Sequence, residues 1–250
     1  MNRYFIELSF RGTHYHGWQL QPNATSVQAL IEEALLKLER KTIKTTGAGR
    51  TDTGVHARYF VAHFESDHPI FTDRPGFIYK MNALLPDDIA INDVYRVLPD
   101  AHARYSALSR TYEYTVSPFK DPFDLDFSWH FSTPLDLSSM NEAARCLKEY
   151  TDFTSFSKLH SNVRTNICHI HEAVWEIRDQ KLLFKIRADR FLRNMVRALV
   201  GTMVDVGRGK ISNEGFIRIL EGRNRNLAGL SAPAEGLALV GIEYPGNIRM

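Results

Sequence analysis

The chain has 250 residues, 44% of them hydrophobic and 24% charged, with 31 lysines and arginines against 29 aspartates and glutamates. Such a composition excludes a disordered tail, a collagen and a low-complexity protein, and no run nears the roughly 18 apolar residues that cross a bilayer. A formal charge of +2 is too small for overall basicity to imply nucleic acid, so a polyanion would have to be met by a local patch.

Residues Arg3 to Phe10 alternate, with Tyr4, Ile6, Leu8 and Phe10 on one side, as a strand requires. Because this segment opens the chain where a secretory leader would show an apolar run, the protein is expected in the cytoplasm. A helix is expected from about Ser26: Val27, Leu30, Ile31, Ala34, Leu35 and Leu38 recur at helical spacing, and Thr25 with Gln28 suggests a capping box. Thr42 to Thr46 reads as a short strand and Arg58 to Glu65 as another. Phe77 to Leu85 reads as a helix stopped by Pro86, and Ile89 to Leu98 as a strand. This β-α-β-β-α-β order is the ferredoxin-like pattern, an α+β sandwich, and it ends near residue 100.

The second half opens with a long strand, Ala107 to Ser117, and a helix from Asp136 or Leu137 to Tyr150. Strands follow at Ala173 to Arg178 and Leu182 to Ala188. Helices are then expected at Arg190 to about Val206 and Asn213 to Glu221, before a terminal strand, Leu237 to Tyr244. Thr151 to His169 is polar and has no clear period. Cys146 and Cys168 form no CxxC pair and read as packing residues, not as a disulfide framework or a zinc site.

The densest chemical signal is Gly47-Ala48-Gly49-Arg50-Thr51-Asp52-Thr53-Gly54-Val55-His56-Ala57, between two expected strands. Its glycines permit close backbone approach. A phosphate loop fits poorly, because Val55 stands where Lys is needed. The Asp52-Thr53-Gly54 triplet also marks aspartic proteases, but these need a second carboxylate and an all-β fold. His14-x-His16 has no partner motif for a metal, and no metal is expected.

A local basic excess lies between Lys185 and Arg225, where ten basic residues face four acidic ones. On a helix from Arg190, Arg193 and Arg197 would fall within roughly 60° of Arg190, giving a cationic face opposite an apolar one. Arg110-Thr111-Tyr112-Glu113-Tyr114 sets aromatic rings beside a base, as stacking platforms for unpaired bases do, although such tyrosines are often half-buried sheet residues.

In four blocks the chain resembles tRNA pseudouridine synthases of the A type, and the likeness runs over nearly its whole length. These are Gly49-Arg50-Thr51-Asp52-x-Gly54-Val55-His56-Ala57; Asn82-Ala83-Leu84-Leu85-Pro86-x-Asp88-Ile89; Ala103-Arg104-Tyr105-Ser106-Ala107-x-x-Arg110-x-Tyr112-x-Tyr114; and Arg190-Phe191-Leu192-x-x-Met195-Val196-Arg197-x-x-Val200-Gly201. Ala232-Pro233-x-x-Gly236-Leu237-x-Leu239 agrees as well.

The resemblance implies two ferredoxin-like (RRM-like) halves, residues 1–103 and 104–250, with sheets joined across a central basic cleft. It implies a cofactor-free isomerase that converts uridine to pseudouridine at positions 38, 39 and 40 of the tRNA anticodon stem-loop, acting as a homodimer. Asp52 would be the catalytic carboxylate, Arg197 its cationic partner and Tyr112 the ring that stacks on the target uracil. Arg50, His56, Arg110, Arg190 and Arg193 would complete the substrate site. An alternative from another class is a tRNA-binding protein without catalysis.

Overall fold

The computed structural model describes residues 1–67, 74–158 and 164–250. The chain divides into two compact units, Met1–Leu108 with Leu239–Met250, and Ser109–Ala238. The architecture is mixed α+β with mostly antiparallel strands. Among the described residues no helix is long and apolar enough to cross a membrane.

The first unit runs β1 (Asn2–Phe10), α1 (Val27–Glu39), β2 (Thr46–Gly47), β3 (His56–Ser66), α2 (Arg74–Leu84) and β4 (Ile89–Arg96). Strand β1 lies between β3 and β4, antiparallel to both, and β2 pairs with β3. Tyr4, Ile6, Leu8 and Phe10 are buried, as their alternation requires, and Phe5 on the opposite face is buried too. That face is closed by Val97, Ala101, Ala103 and Ile248, segments remote from β1 in sequence, so alternation alone understated the core. Burying one such phenylalanine contributes roughly 1.5–3 kcal/mol.

Two expectations here are corrected. The N-cap of α1 is Ser26, whose Oγ accepts from the Ala29 N–H at 3.3 Å, and no Thr25–Gln28 capping box forms. Gln28 instead accepts from the Leu20 N–H (3.0 Å) and donates to the Thr45 carbonyl (2.9 Å), tying two loops to the helix. The strand expected over Thr42–Thr46 is reduced to Thr46–Gly47. Glu32 of α1 takes the Thr45 N–H (2.9 Å) and hydroxyl (3.1 Å), so a helix side chain replaces a neighbouring strand as partner.

The second unit runs β5 (Ser109–Ser117), β6 (Trp129–His130), α3 (Leu137–Cys146), β7 (Ile170–Arg178), β8 (Lys181–Ala188), α4 (Met195–Gly207) and α5 (Asn213–Glu221). Its strands are ordered β5–β8–β7, antiparallel, with two-residue β6 parallel to β5. Asp179 and Gln180 both have positive φ (50° and 62°), the backbone that a two-residue hairpin turn needs between β7 and β8. Asn141 of α3 fastens to β7 through both its amide atoms, at 2.9 Å from the Trp175 carbonyl and N–H. The terminal strand is β9 (Leu237–Glu243). In the polar stretch without a clear period, Thr154–Phe156 forms a 3-10 turn and Asp152 bridges Ile167, while residues 159–163 lie outside the described residues.

The largest correction concerns the arginine helix. α4 begins at Met195, so Arg190 and Arg193 precede it and share no helical face with Arg197. Asn194 takes a left-handed conformation (φ 65°), and the Asp189 carboxylate accepts the Arg190 N–H at 2.7 Å, so local side-chain bonds divert the backbone before the helix starts. Eleven of the thirteen α4 residues are buried, so the helix is an interior one and not an amphipathic one with a cationic face.

Candidate active site

Asp52 lies in the irregular loop between β2 and β3, residues 48–55, with Arg50 exposed and Asp52 half-buried. The loop is held by the segment that follows β1. The Trp18 N–H donates to the Thr51 Oγ1 (2.9 Å), the Gly54 N–H to the Tyr15 carbonyl (3.2 Å), and the Gly12 N–H to His56 Nδ1 (2.9 Å). Glycine is required for this approach. A Cβ on Gly12 would stand 2.1 Å from the Val55 carbonyl oxygen, and one on Gly17, whose φ is +82°, 2.1 Å from that of Thr51. Gly54 turns the chain with φ +81° and the Val55 N–H closes back on the Asp52 carbonyl at 3.2 Å.

The same segment reaches the second motif block. The Tyr15 hydroxyl donates to the Asp88 carboxylate, and the Arg11 N–H to the Asp88 carbonyl at 2.9 Å. Burial, reinforced by the Asp88 carboxylate, pushes the Tyr15 hydroxyl well above its ordinary pKa, so it stays a donor. Asn82 joins α2 to β4 by accepting the Ile91 N–H (2.7 Å) and donating to its carbonyl (3.0 Å). These residues place a loop, and Asp52 is the carboxylate that the loop carries. Gly12, Tyr15, Gly17 and Trp18 went unnoticed in the sequence; the available signal was a glycine pair in an aromatic stretch directly after a strand.

In the second unit Arg110 and Tyr112 lie on β5, and Arg190 and Arg193 in the turn before α4. The structure gathers three of these around residues 189–191. Arg110 donates to the Asp189 carbonyl (2.8 Å), Arg190 donates to the Thr165 carbonyl (3.2 Å), and the Phe191 ring meets the Tyr112 ring edge-on with centroids 5.2 Å apart. Asp189 receives the His169 N–H (2.8 Å) and its ring Nδ1 (2.9 Å) as well. Burial works against the Asp189 charge, but the hydrogen bonds from His169 and Arg190 outweigh it and hold this carboxyl below its ordinary pKa.

Arg193 is exposed, and its carbonyl accepts the Lys158 N–H at 3.1 Å. Arg197, half-buried on α4, donates its Nε–H to the Ala232 carbonyl (2.8 Å) while its own carbonyl takes the Ala232 N–H (2.9 Å). The side chain is thereby aligned by the Ala232-Pro233 block. Several of the basic residues between Lys185 and Arg225 sit in ion pairs, Lys185 and Arg187 with Glu172, Arg208 and Lys210 with Asp205, and Arg223 with Asp152. Cys146 and Cys168 behave as packing thiols, pushed up by burial to about 11 and about 12.

A family model described as tRNA pseudouridine synthase matches residues 8–106 and 144–245. The chain is 53% identical to tRNA pseudouridine synthase A of Bacteroides thetaiotaomicron, over 99% of this chain and 93% of that protein. It is 52% identical to the protein of that name from Bacteroides fragilis, over 99% and 98% of the two chains. The Parabacteroides distasonis protein of the same name is 50% identical, again over 99% and 98%.

Proposed function

This chain belongs to the tRNA pseudouridine synthase family, and from that membership we propose that it isomerises uridine to pseudouridine in tRNA, at positions 38, 39 and 40 of the anticodon stem-loop, with the Asp52 carboxylate as the catalytic group. The single observation that supports the carboxylate's role is the clamping of its loop. Backbone contacts at Gly12 and Gly17 and three hydrogen bonds from the segment after β1 fix the loop that bears Asp52. Pre-positioning a reacting group in this way removes much of the entropic cost of reaction.

The reaction breaks the N1–C1′ glycosidic bond, turns the uracil, forms a C5–C1′ bond, and moves the C5 proton to solvent while N1 gains one. Atoms and electrons balance without a redox or group-transfer reagent, so no cofactor is called for. An ionised carboxylate is what the chemistry needs, either as nucleophile toward the base or the ribose or as base toward a ribose proton. In this reading Arg197 is the cationic partner of the catalytic carboxylate. Tyr112 stacks on the extruded uracil, offsetting part of the few kcal/mol that flipping costs. Arg50, His56, Arg110, Arg190 and Arg193 frame the RNA, the arginines through its phosphates.

The same reading makes each half ferredoxin-like, with the sheets joined across a basic cleft. The order β4–β1–β3 with β2 against β3 in the first unit supports this for that half. It also has the protein working as a cytoplasmic homodimer, which sedimentation of the purified protein tests. The functional test is tritium release from C5-labelled uridine in tRNA. Asp52→Ala is expected to lower it on the order of 10⁴-fold or more. Release equal to wild type would end the assignment, and tight salt-dependent tRNA binding with no conversion by the wild type would favour a binding protein instead.

A further inference from the structure

Leu230 is 89% exposed, yet the backbone on either side of it is fastened. The Gly229 N–H donates to the Thr202 hydroxyl at 3.0 Å. Arg225 donates to the Gly229 carbonyl (3.1 Å) and the Ser231 hydroxyl (3.1 Å), which also accepts from the Asn194 amide at 2.6 Å. Ala232 closes the far side through its paired bonds with Arg197. The Leu230 carbonyl itself rests against α4 at Gly201, where a Cβ would stand 1.9 Å from its oxygen. The leucine side chain is thus an apolar peg on a loop whose ordering entropy is already spent in folding, so a contact it makes is not diminished by immobilising the loop.

The loop is attached to the elements that carry the stacking tyrosine. The Tyr114 hydroxyl donates to the Pro233 carbonyl at 2.8 Å, and Tyr114 lies two residues from Tyr112 on the same side of β5. Asn194, which holds Ser231, ends the turn that begins with Phe191, the ring packed on Tyr112. Arg193, Arg197 and Arg225 belong to the same segments. An apolar peg on a loop held by Arg225 and Arg197 matches RNA, whose phosphates lie outside and whose base faces are apolar. Apolar side chains inserted between bases stabilise an unstacked step.

We propose that Leu230 is a wedge that packs on the base left unstacked beside the extruded uridine in the substrate stem-loop. This deepens the functional reading above and rests on it. The peg acts on the extruded state more than on docking, because phosphate contacts supply most of the affinity. Its removal should therefore slow conversion at saturation and leave binding nearly intact.

The test uses full-length protein and an anticodon stem-loop carrying 2-aminopurine next to the target uridine, whose fluorescence rises on unstacking. Leu230→Ala is expected to lower the single-turnover rate at saturating protein about tenfold and to reduce the fluorescence rise. Stem-loop affinity and the thermal midpoint should stay close to wild type, and Leu230→Met should restore most of the rate. An unchanged rate and fluorescence in Leu230→Ala overturns the proposal. A loss confined to affinity does so too, and a changed sedimentation coefficient would assign the peg to contact between copies instead. Wild-type protein that forms no pseudouridine defeats the functional reading itself, whereas wild-type turnover matched by Leu230→Ala defeats only the wedge.

Discussion

The loop that carries Asp52 and the turn that carries Arg190 and Arg193 are both irregular chain next to a strand, but they are held by different means. In the first, backbone is located mainly by backbone: the carbonyls of Thr51 and Val55 fill space that only glycine leaves at positions 17 and 12. In the second, side chains do the locating: Asp189, Arg110 and Arg190 bond to neighbouring peptide groups, and Asn194 bonds to Ser231. A clamp of close-packed backbone fixes position sharply and is indifferent to charge. A lattice of ionised side chains adjusts to salt and pH, which suits groups that must follow a flexible polyanion.

The largest expected effect tests the backbone clamp. Gly17→Ala meets both a positive φ and a carbonyl oxygen at 2.1 Å, so something must shift. A cost of about 2–4 kcal/mol in stability is expected from strain and overpacking together. Gly49→Ala, in the same loop region with open space around the added carbon, should stay within about 0.5 kcal/mol of wild type. Urea unfolding midpoints measure the stabilities and tritium release measures the displacement of Asp52. Equal behaviour of the two variants would show that the close backbone approach at Gly17 does not hold the Asp52 loop.

How much of this was legible in the sequence follows the same division. Alternation and helical spacing carry packing information, so β1, β3, α1 and α5 could be read from Ile6, Val61, Ile31 and Phe216 and their neighbours. The motif around Asp52 could be read because glycine spacing is a backbone signal. Periodicity misled at residues 190–194. Arg190, Arg193 and Arg197 recur as on a helix, but the side chain of Asp189 competes for the Arg190 N–H, and that bond is not visible in hydropathy. Gly12 and Gly17 were missed for another reason: their role depends on Val55 and Thr51, which approach them only in three dimensions.

A second contrast is in acid. Burial, together with the nearby charges of His102 and Arg3 and against that of Glu65, pushes His63 of β3 down to about 4 from its usual 6.5. His63 accepts the Ala103 N–H through Nδ1 at 3.1 Å, a bond that needs that nitrogen unprotonated. Between these two values the unfolded chain holds a proton that the folded one does not. The contribution is therefore full above pH 6.5 and is lost as pH drops toward 4. Asp189 has the opposite kind of group but the same sign: its lowered pKa gives stability above its usual 3.8 that is lost only below it. Amide exchange in β1 and β3 should accelerate between pH 6.5 and 4, after correction for intrinsic rates, while β8 near Asp189 stays protected. Parallel loosening of β1, β3 and β8 over that range would contradict the assignment.

The smallest effect sharpens the description of the side-chain-held turn. Arg190 reaches the Thr165 carbonyl at 3.2 Å and the Ile167 carbonyl at 3.4 Å from one guanidinium nitrogen, and it is partly solvated. Removing it in Arg190→Ala frees carbonyls that water can reach, so the stability loss should be under about 1 kcal/mol. Arg190→Lys, with a single rotatable ammonium, should recover part of that but hold the turn less firmly than the planar guanidinium. If Arg190 also meets a phosphate, Arg190→Ala should reduce the slope of tRNA affinity against salt by about one, while Arg190→Lys, which keeps the charge, should leave it close to wild type. An unchanged slope with a measurable loss of stability would make the residue a brace for residues 165–167 and not a contact for RNA.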